Sequence, residues 1–137
     1  MTLKEIYQFF QSPPLKFLSQ ELAVCYVMSV LLQGDSYGTE LINILENDYP
    51  TYRLSDTVLY NALDFLESEA AITRYWKKVG GRGRPRSMYQ LSPQWLLQAQ
   101  KLTELWQKYM ERNHQIARFT ANGMTVKEAP EITTKVF

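Results

Sequence analysis

A basic segment rich in glycine, residues 80–86, separates two short strand-like patterns in a chain whose other patterns are helical. Its three glycines and its proline favour a tight turn and exclude a regular helix. On either side, residues 72–79 and 87–91 contain aromatic and β-branched side chains of the kind that strands favour. The sequence therefore predicts one β-hairpin in a mainly helical chain.

Four helical patterns precede the hairpin, and most are preceded by a residue that can cap a helix. They are predicted over residues 2–11, 19–33, 36–47 and 55–69. The expected N-caps are Ser19, Ser36 and Ser55. Gly34 is placed to end the second helix, whose residues 22–32 are apolar on almost every side and predict the centre of the core.

The third and fourth helices are joined by a short connector at residues 48–51, an arrangement typical of a helix-turn-helix. A basic hairpin after a helix-turn-helix forms a wing. The expected fold is therefore mainly α with a small β-hairpin: a winged helix-turn-helix with an extra N-terminal helix and a long C-terminal dimerisation helix.

The last helix is predicted to begin at Ser92 and Pro93 and to reach Phe119, a length of roughly 40 Å. Large and small apolar residues recur along it at intervals of four and three, as in a heptad seam. The seam consists of Trp95, Ala99, Leu102, Trp106, Tyr109, Asn113 and Ile116. We expect a second copy of the chain to cover this seam, with Asn113 fixing the register. The alternative is that the seam folds back onto the helix at residues 22–32 of the same chain.

These patterns divide the chain into four expected regions. They are an N-terminal helical arm at residues 1–14, a winged-helix DNA-binding domain at 15–92, a dimerisation helix at 93–119 and a weakly ordered tail at 120–137.

Composition excludes several other classes of protein. One cysteine and one histidine among 137 residues provide neither a disulfide nor a zinc site. No apolar run approaches the roughly 20 residues of a membrane span, and the N-terminus lacks signal-peptide features, so a cytoplasmic protein without membrane partners is expected. No nucleophile, base or phosphate-binding loop is visible, so we expect neither an enzyme nor a cofactor.

The net charge of +1 conceals a strong asymmetry along the chain. Residues 35–69 carry eight acidic side chains and one basic side chain, whereas residues 70–103 carry seven basic side chains and no acidic one. Because salt screens charges beyond about 8 Å, such a local patch attracts a polyanion even on a nearly neutral protein. Double-stranded DNA is the expected partner.

The fourth helix and the hairpin would share the work of DNA binding. The helix has no Lys or Arg, so its polar N-terminal turns are expected in the major groove, through Ser55, Thr57, Tyr60 and Asn61. Arginines near the hairpin tip suit a flanking minor groove or phosphates, and these are Arg82, Arg84 and Arg86. The remaining hairpin cations are assigned to the DNA backbone, and these are Arg74, Lys77 and Lys78. Tyr75 and Trp76 are expected to pack the wing onto its core.

Several short motifs resemble the PadR family of bacterial transcriptional regulators in their order and spacing. They are Tyr37-Gly38, Leu59-Tyr60-Asn61-Ala62-Leu63 with Leu66-Glu67, Gly83-Arg84-Pro85-Arg86 and Tyr89-Gln90-Leu91-Ser92. The resemblance implies a homodimeric winged-helix repressor that binds a promoter and pairs through its terminal helices. The N-terminal arm and the aromatic-rich composition are similar to those of cyanobacterial clock-associated members.

The sequence departs from the family pattern at three places. Family members usually have glycine where Ala70 or Ala71 stands, proline where Asn61 stands, and glycine near Trp95. Two readings of function follow. The first is a sequence-specific repressor, and the second is a winged-helix adaptor that binds another protein in a clock or signalling complex. The resemblance also allows a small-molecule effector, which the sequence does not identify.

Overall fold

The structure, a computed structural model, describes residues 1–12, 14–78 and 84–122, with side chains up to Asn113. The chain divides into two compact units. The first, residues 15–106, is called the winged-helix unit below; the second, residues 1–14 with 107–137, is called the terminal unit.

The described elements follow one another in a helix-rich order with short strands. In chain order they are α1 (Leu3–Gln11), β1 (Lys16–Phe17), α2 (Gln20–Leu31), β2 (Ser36–Tyr37), α3 (Gly38–Asp48), β3 (Tyr52–Arg53), α4 (Asp56–Ser68), β4 (Ile72–Lys77), β5 (Arg86–Leu91), a 3₁₀ turn (Pro93–Trp95) and α5 (Leu96–Asn122). The predicted mainly α fold with a small β-hairpin and a long C-terminal helix is confirmed.

The hairpin strands β4 and β5 pair antiparallel, and β2 adds a third strand on the other side of β5. A second, parallel pair joins β1 to β3. The sequence analysis missed β1, β2 and β3, because two residues are too few to establish the alternating pattern of a strand. The third strand matters for the site, because it fixes the start of α3 beside the wing.

Two of the predicted serine caps are confirmed. The Ser19 hydroxyl accepts a hydrogen bond from the Leu22 amide at 3.3 Å, and the Ser55 hydroxyl accepts one from the Val58 amide at 3.2 Å. Each bond satisfies one of the backbone donors that the first turn of a helix leaves free.

The prediction of a Ser36 cap is wrong. Ser36 is buried in β2, where its hydroxyl donates to the Glu40 carboxylate at 2.7 Å, and α3 begins two residues later with Tyr37 as a cap that makes no side-chain bond. Ser92 occupies the predicted N-cap position and Pro93 follows it as predicted, but the first turn is a 3₁₀ turn before α5, and the buried Ser92 side chain makes no cap bond. Ser36 is held by strand pairing, which local sequence does not encode.

The core of the winged-helix unit lies between α2, α3, α4 and the sheet. Fully buried side chains from α2 pack with those of the other two helices, and the largest are Val27, Met28, Leu41, Leu45, Leu59, Leu63 and Leu66. The Tyr26 hydroxyl donates to the Leu41 carbonyl at 2.5 Å, which satisfies a polar group inside this core. The predicted central position of α2 is confirmed, although the helix ends at Leu31 instead of Gln33.

The C-terminus of α4 is closed by a residue in the left-handed region. Ala70 has φ 60°, its amide donates to the Glu67 carbonyl at 2.9 Å, and the Ala71 amide donates to the Leu66 carbonyl at 2.8 Å. This hydrogen-bond pair is a Schellman motif, which usually carries glycine at the left-handed position. The glycine that the family resemblance suggests for this turn therefore corresponds to position 70.

Ala70→Gly is expected to raise the free energy of unfolding by about 1 kcal/mol, because a β-carbon in the left-handed region costs roughly 1–2 kcal/mol and glycine's extra chain entropy offsets part of the gain. Urea unfolding followed by circular dichroism measures this change. Ala71→Gly is the matched control and should destabilise the chain, because Ala71 is buried and its φ is not positive. A loss of stability in Ala70→Gly would contradict the account.

The described part of the terminal unit consists of α1 and the second half of α5. α1 opens with a capping box in which Thr2 and Glu5 satisfy each other's backbone amides. No side chain of α1 is buried, although one face is apolar. α5 extends three residues beyond the predicted end at Phe119, and residues 123–137, most of the predicted tail, lie outside the described residues.

Candidate nucleic-acid interface

α4 crosses one face of the three-stranded sheet. At one end of the crossing, the Tyr60 hydroxyl approaches Gly38, the residue that follows β2. At the other, Glu67 forms an ion pair of 3.6 Å with Arg74 of β4. Tyr60 and Glu67 are two helical turns apart, about 10 Å, which matches the two strand spacings of roughly 10 Å between β2 and β4. The helix therefore lies across the root of the wing.

Gly38 is needed for this packing. A β-carbon at that position would lie 2.5 Å from the Tyr60 hydroxyl oxygen and 3.2 Å from its Cζ, so any larger residue would push the tyrosine ring out of this position. Partial burial raises the pKa of Tyr60, and the neighbouring Tyr89 and Asp56 raise it further. The hydroxyl therefore stays protonated at physiological pH and can donate a hydrogen bond.

The predicted major-groove residues occupy the N-terminal half of α4. Thr57, Tyr60 and Asn61 are exposed, and Tyr60 retains 47% of its accessible surface despite its contact with Gly38. Ser55 is half-buried, and its hydroxyl oxygen is engaged as the N-cap acceptor. The four residues lie within two turns of one helix, which places donors and acceptors near the free amides of the helix N-terminus.

The predicted hairpin cations fall into two groups. Lys77, Lys78 and Arg84 are exposed, and no ion pair within 4.0 Å involves them in the described part of the chain. Arg74 and Arg86 already have protein partners: Arg74 pairs with Glu67, and the Arg86 guanidinium lies 3.7 Å from the centre of the Tyr37 ring. Arg82 lies outside the described residues.

The two wing aromatics behave differently. The Tyr75 hydroxyl donates to the Asp35 carboxylate at 2.6 Å, and this bond raises the pKa of Tyr75. Tyr75 therefore ties the wing to the loop before β2 through its hydroxyl, although its side chain is exposed and does not pack on the core as expected. The expectation is also wrong for Trp76, whose side chain is 69% exposed, because β4 continues past the end of the helical core at this point.

Three residues that hold the wing in place were not predicted from the sequence. Asp35 binds Tyr75, Tyr37 stacks under Arg86, and Gly38 admits Tyr60. Tyr37 and Gly38 carried a signal, because they form one of the family-like motifs. Nothing in the local sequence distinguishes Asp35 from other exposed acidic residues.

The predicted dimer seam is divided between two environments. Ala99 and Trp106 are buried within one chain, and Trp106 contacts the rings of Tyr26 at 5.3 Å and Tyr49 at 5.8 Å between centroids. This part of the seam folds back onto α2, as the alternative reading expected, so these two side chains are not available to a second chain. Trp95 and Leu102 are half-buried in the winged-helix unit.

The second half of the seam lies in the terminal unit. Tyr109 is exposed, and the half-buried Asn113 donates its side-chain amide to the Tyr109 carbonyl of the same helix at 2.8 Å. The side chain of Ile116 lies outside the described residues.

Two further classes of site concern metal ions and membranes. Among the described residues, no group of three His, Cys, Asp or Glu side chains could hold a metal ion. No helix in the described part of the chain combines the length and apolar character needed to cross a bilayer.

Comparisons with known proteins agree with this architecture. The model of the transcriptional regulator PadR-like family matches residues 27–94. The circadian clock associated protein Pex from Anabaena is 60% identical, with 83% of this chain and 99% of that chain covered at a TM-score of 0.74. Pex from Synechococcus sp. (strain PCC 7942) is 59% identical, with 80% and 98% covered at the same TM-score of 0.74.

A more distant structure supports the fold alone. A transcriptional regulator from Clostridium thermocellum is 23% identical over 70% of this chain and 93% of its own, with a TM-score of 0.55. No curated protein matches the chain significantly.

The family model covers the helix-turn-helix and the wing, and the alignment with the Anabaena protein extends over nearly all of that chain. Members of this family are transcriptional regulators and not enzymes, which agrees with the expectation from the sequence. The chain belongs to the PadR-like family of transcriptional regulators.

Proposed function

We propose that the protein is a sequence-specific DNA-binding repressor that acts on a promoter. The observation that supports this proposal is the contact of α4 with the wing through the Glu67–Arg74 ion pair, together with exposed polar residues on that helix and exposed cations on the hairpin. One duplex can contact both elements, because an α-helix fits the major groove and a thin basic hairpin fits the neighbouring minor groove.

Base recognition is assigned to the first half of α4. The Asn61 side chain can donate to and accept from an adenine edge, and Thr57 and Tyr60 add further hydrogen-bonding groups. Ser55 lies where the helix N-terminus favours a phosphate. Asp64 and Glu67 in the second half of α4 and Glu69 at its C-cap repel phosphate, so the helix would enter the groove by its N-terminus.

Positive charge is assigned to the wing. Lys77, Lys78 and Arg84 would bind phosphates or the minor groove, together with Arg82. The two cations with protein partners act differently in this proposal. Arg74 neutralises Glu67 at the edge of the interface, and Arg86 positions the wing by stacking on Tyr37.

We further propose that the protein acts as a homodimer paired through α1 and the outer face of α5. Large apolar side chains are exposed on both helices, including Tyr7 and Phe9 on α1 and Leu97, Leu105 and Tyr109 on α5. Sedimentation should give the mass of two chains, and a two-fold dimer should protect inverted half-sites spaced roughly 34–36 Å apart.

The target we propose is the promoter of a gene in a circadian clock. The support is the 60% identity to a protein described as clock-associated. Binding to promoter DNA implies action in the cytoplasm.

A second function, that of a protein–protein adaptor in a clock or signalling complex, is favoured by one observation. Phe65 is exposed on α4 beside Asp64, and this pair suits a protein surface better than a phosphate backbone. An adaptor would bind duplexes weakly and without sequence preference.

Asn61→Ala provides the test of base recognition. Selection of bound fragments from genomic DNA would first define the operator. The variant should then lose discrimination at one position of the half-site by about 1–3 kcal/mol, because a bidentate contact to a base is removed. Its salt dependence should not change, because no charge is lost. Asn47→Ala is the control, since Asn47 is exposed at the end of α3. Equal discrimination in both variants would contradict the assigned role.

A further inference from the structure

Trp76 is a large aromatic side chain that the described part of the chain leaves mostly exposed. It is 69% exposed, whereas Trp95 is half-buried and Trp106 is 3% exposed. A side chain of this size contributes little to stability when exposed, and tryptophan is enriched where proteins contact a partner. Its position in the wing indicates which class of molecule it contacts.

The strand register shows which face of the wing carries Trp76. Alternate residues of a strand point to the same face, so Trp76 shares a face with Ile72 and Arg74. Ile72 is buried in the core, and Arg74 reaches Glu67 of α4. Trp76 is therefore on the face that α4 covers, two residues or about 7 Å further toward the hairpin tip.

This position lies between the two elements of the proposed interface. α4 lies against the sheet at the level of Arg74. The exposed Arg84 comes just before β5 and is nearer the hairpin tip than Trp76, whose partner in β5 is Ser87. In a duplex, one sugar-phosphate backbone separates the major groove from the adjacent minor groove. If α4 enters the first groove and the wing enters the second, that backbone must pass over the part of the wing between them. Trp76 is exposed in this part.

The charges of the wing favour a nucleic acid over a protein partner. Lys77 and Lys78 follow Trp76 in the sequence, with Lys77 on the opposite face of the strand, and no acidic residue occurs between Glu69 and Glu104. Glu67 of α4, which reaches the Trp76 face, is paired with Arg74. An indole ring has an apolar face that packs on deoxyribose and an N–H that donates to a phosphate oxygen. It is therefore suited to a backbone that alternates sugar and phosphate.

We propose that Trp76 is a DNA-contacting residue whose indole ring lies against the sugar-phosphate backbone between the two grooves, an inference that rests on the proposed DNA-binding function. The contact positions the protein on the duplex without reading bases, because sugar and phosphate are the same at every step.

Acrylamide quenching of tryptophan fluorescence tests the location of the ring. Acrylamide is neutral, so the charge of DNA does not repel it. A short A·T-rich duplex at low salt is a sufficient probe, because a backbone contact does not need the operator. Adding the duplex should reduce quenching in the wild-type protein and in Trp95→Phe, and should leave quenching unchanged in Trp76→Phe.

Binding measurements test the contribution of the ring. Trp76→Ala should weaken duplex binding about five- to tenfold, and Trp76→Phe, which keeps an aromatic face, only about twofold. The log–log salt slope should stay the same in both variants, since no charge is removed. Unchanged circular dichroism and an unchanged unfolding midpoint would show that the loss is local.

The outcomes separate this inference from the function on which it rests. Wild-type protein that binds the duplex while Trp76 remains open to acrylamide would overturn the inference and leave the proposed function standing. Unchanged affinity of Trp76→Ala would also overturn it. Wild-type protein that binds no duplex at all would overturn both.

Discussion

Replacing Arg82 and Arg84 together with alanine is expected to weaken duplex binding about 100-fold at physiological salt and to flatten the log–log salt slope by about 1.8, because each lost phosphate contact removes roughly 0.9 from the slope. Arg84 is exposed, and no ion pair within 4.0 Å occupies it in the described part of the chain. Its charge is therefore available for a polyanion. Fluorescence anisotropy over a range of salt concentrations measures both quantities.

Lys101→Ala is the matched control for this prediction. Lys101 is an exposed cation on α5, outside the wing, so its removal should change the slope by much less. If the double variant kept the wild-type slope, the wing would not be part of the interface. Arg86→Ala is expected to act differently, because Arg86 stacks on Tyr37 and its loss should displace the wing.

Replacing Trp106 with alanine is expected to lower the free energy of unfolding by about 3–5 kcal/mol, the usual cost of truncating a buried aromatic side chain. Trp106 is 3% exposed and contacts two tyrosine rings, those of Tyr26 and Tyr49. The cost comes from the cavity left behind and from the lost aromatic contacts. Urea unfolding followed by far-ultraviolet circular dichroism measures the change.

Trp76→Ala provides a control with the same substitution in an exposed position. It should change the free energy of unfolding by no more than about 0.5 kcal/mol, because the side chain is already largely in water. Both variants should be compared at one protein concentration, since the proposed dimerisation would make apparent stability depend on concentration. A cost below about 1 kcal/mol for Trp106→Ala would mean that Trp106 is not part of the core of one chain.

Much of the fold follows from local patterns in the sequence. The spacing of Leu59, Leu63 and Leu66 predicted the buried side of α4, and the glycines and proline at residues 80–86 predicted the break between β4 and β5. Ser19 and Ser55 act as caps, and each hydroxyl accepts a hydrogen bond from an amide in the first turn of its own helix. Periodicity and capping are local, so a single sequence contains them.

The parts that could not be predicted depend on contacts between distant residues. Ser36 has the same local signal as Ser55, but pairing with Tyr89 places it in a strand and its hydroxyl binds Glu40. The seam on α5 has the same spacing whether its own chain or a second chain covers it. Trp106 is covered by its own chain, whereas Tyr109 is exposed and accessible to a second chain.

The candidate site shows the same division. The sequence indicated which residues are polar and which are cationic, and hence the class of partner. It did not indicate that Arg74 and Arg86 are engaged within the protein while Trp76 is exposed, because these facts depend on how α4 and β2 pack around the wing.

The central claim is that α4 and the wing contact one duplex at the same time. A mobility-shift assay on the selected genomic fragment, at about 150 mM salt and with excess competitor DNA, tests this claim most directly. The account predicts a complex that survives the competitor, is weakened in Asn61→Ala and is lost in the Arg82/Arg84 double variant. Binding that the competitor removes completely, or that both variants retain, would contradict it.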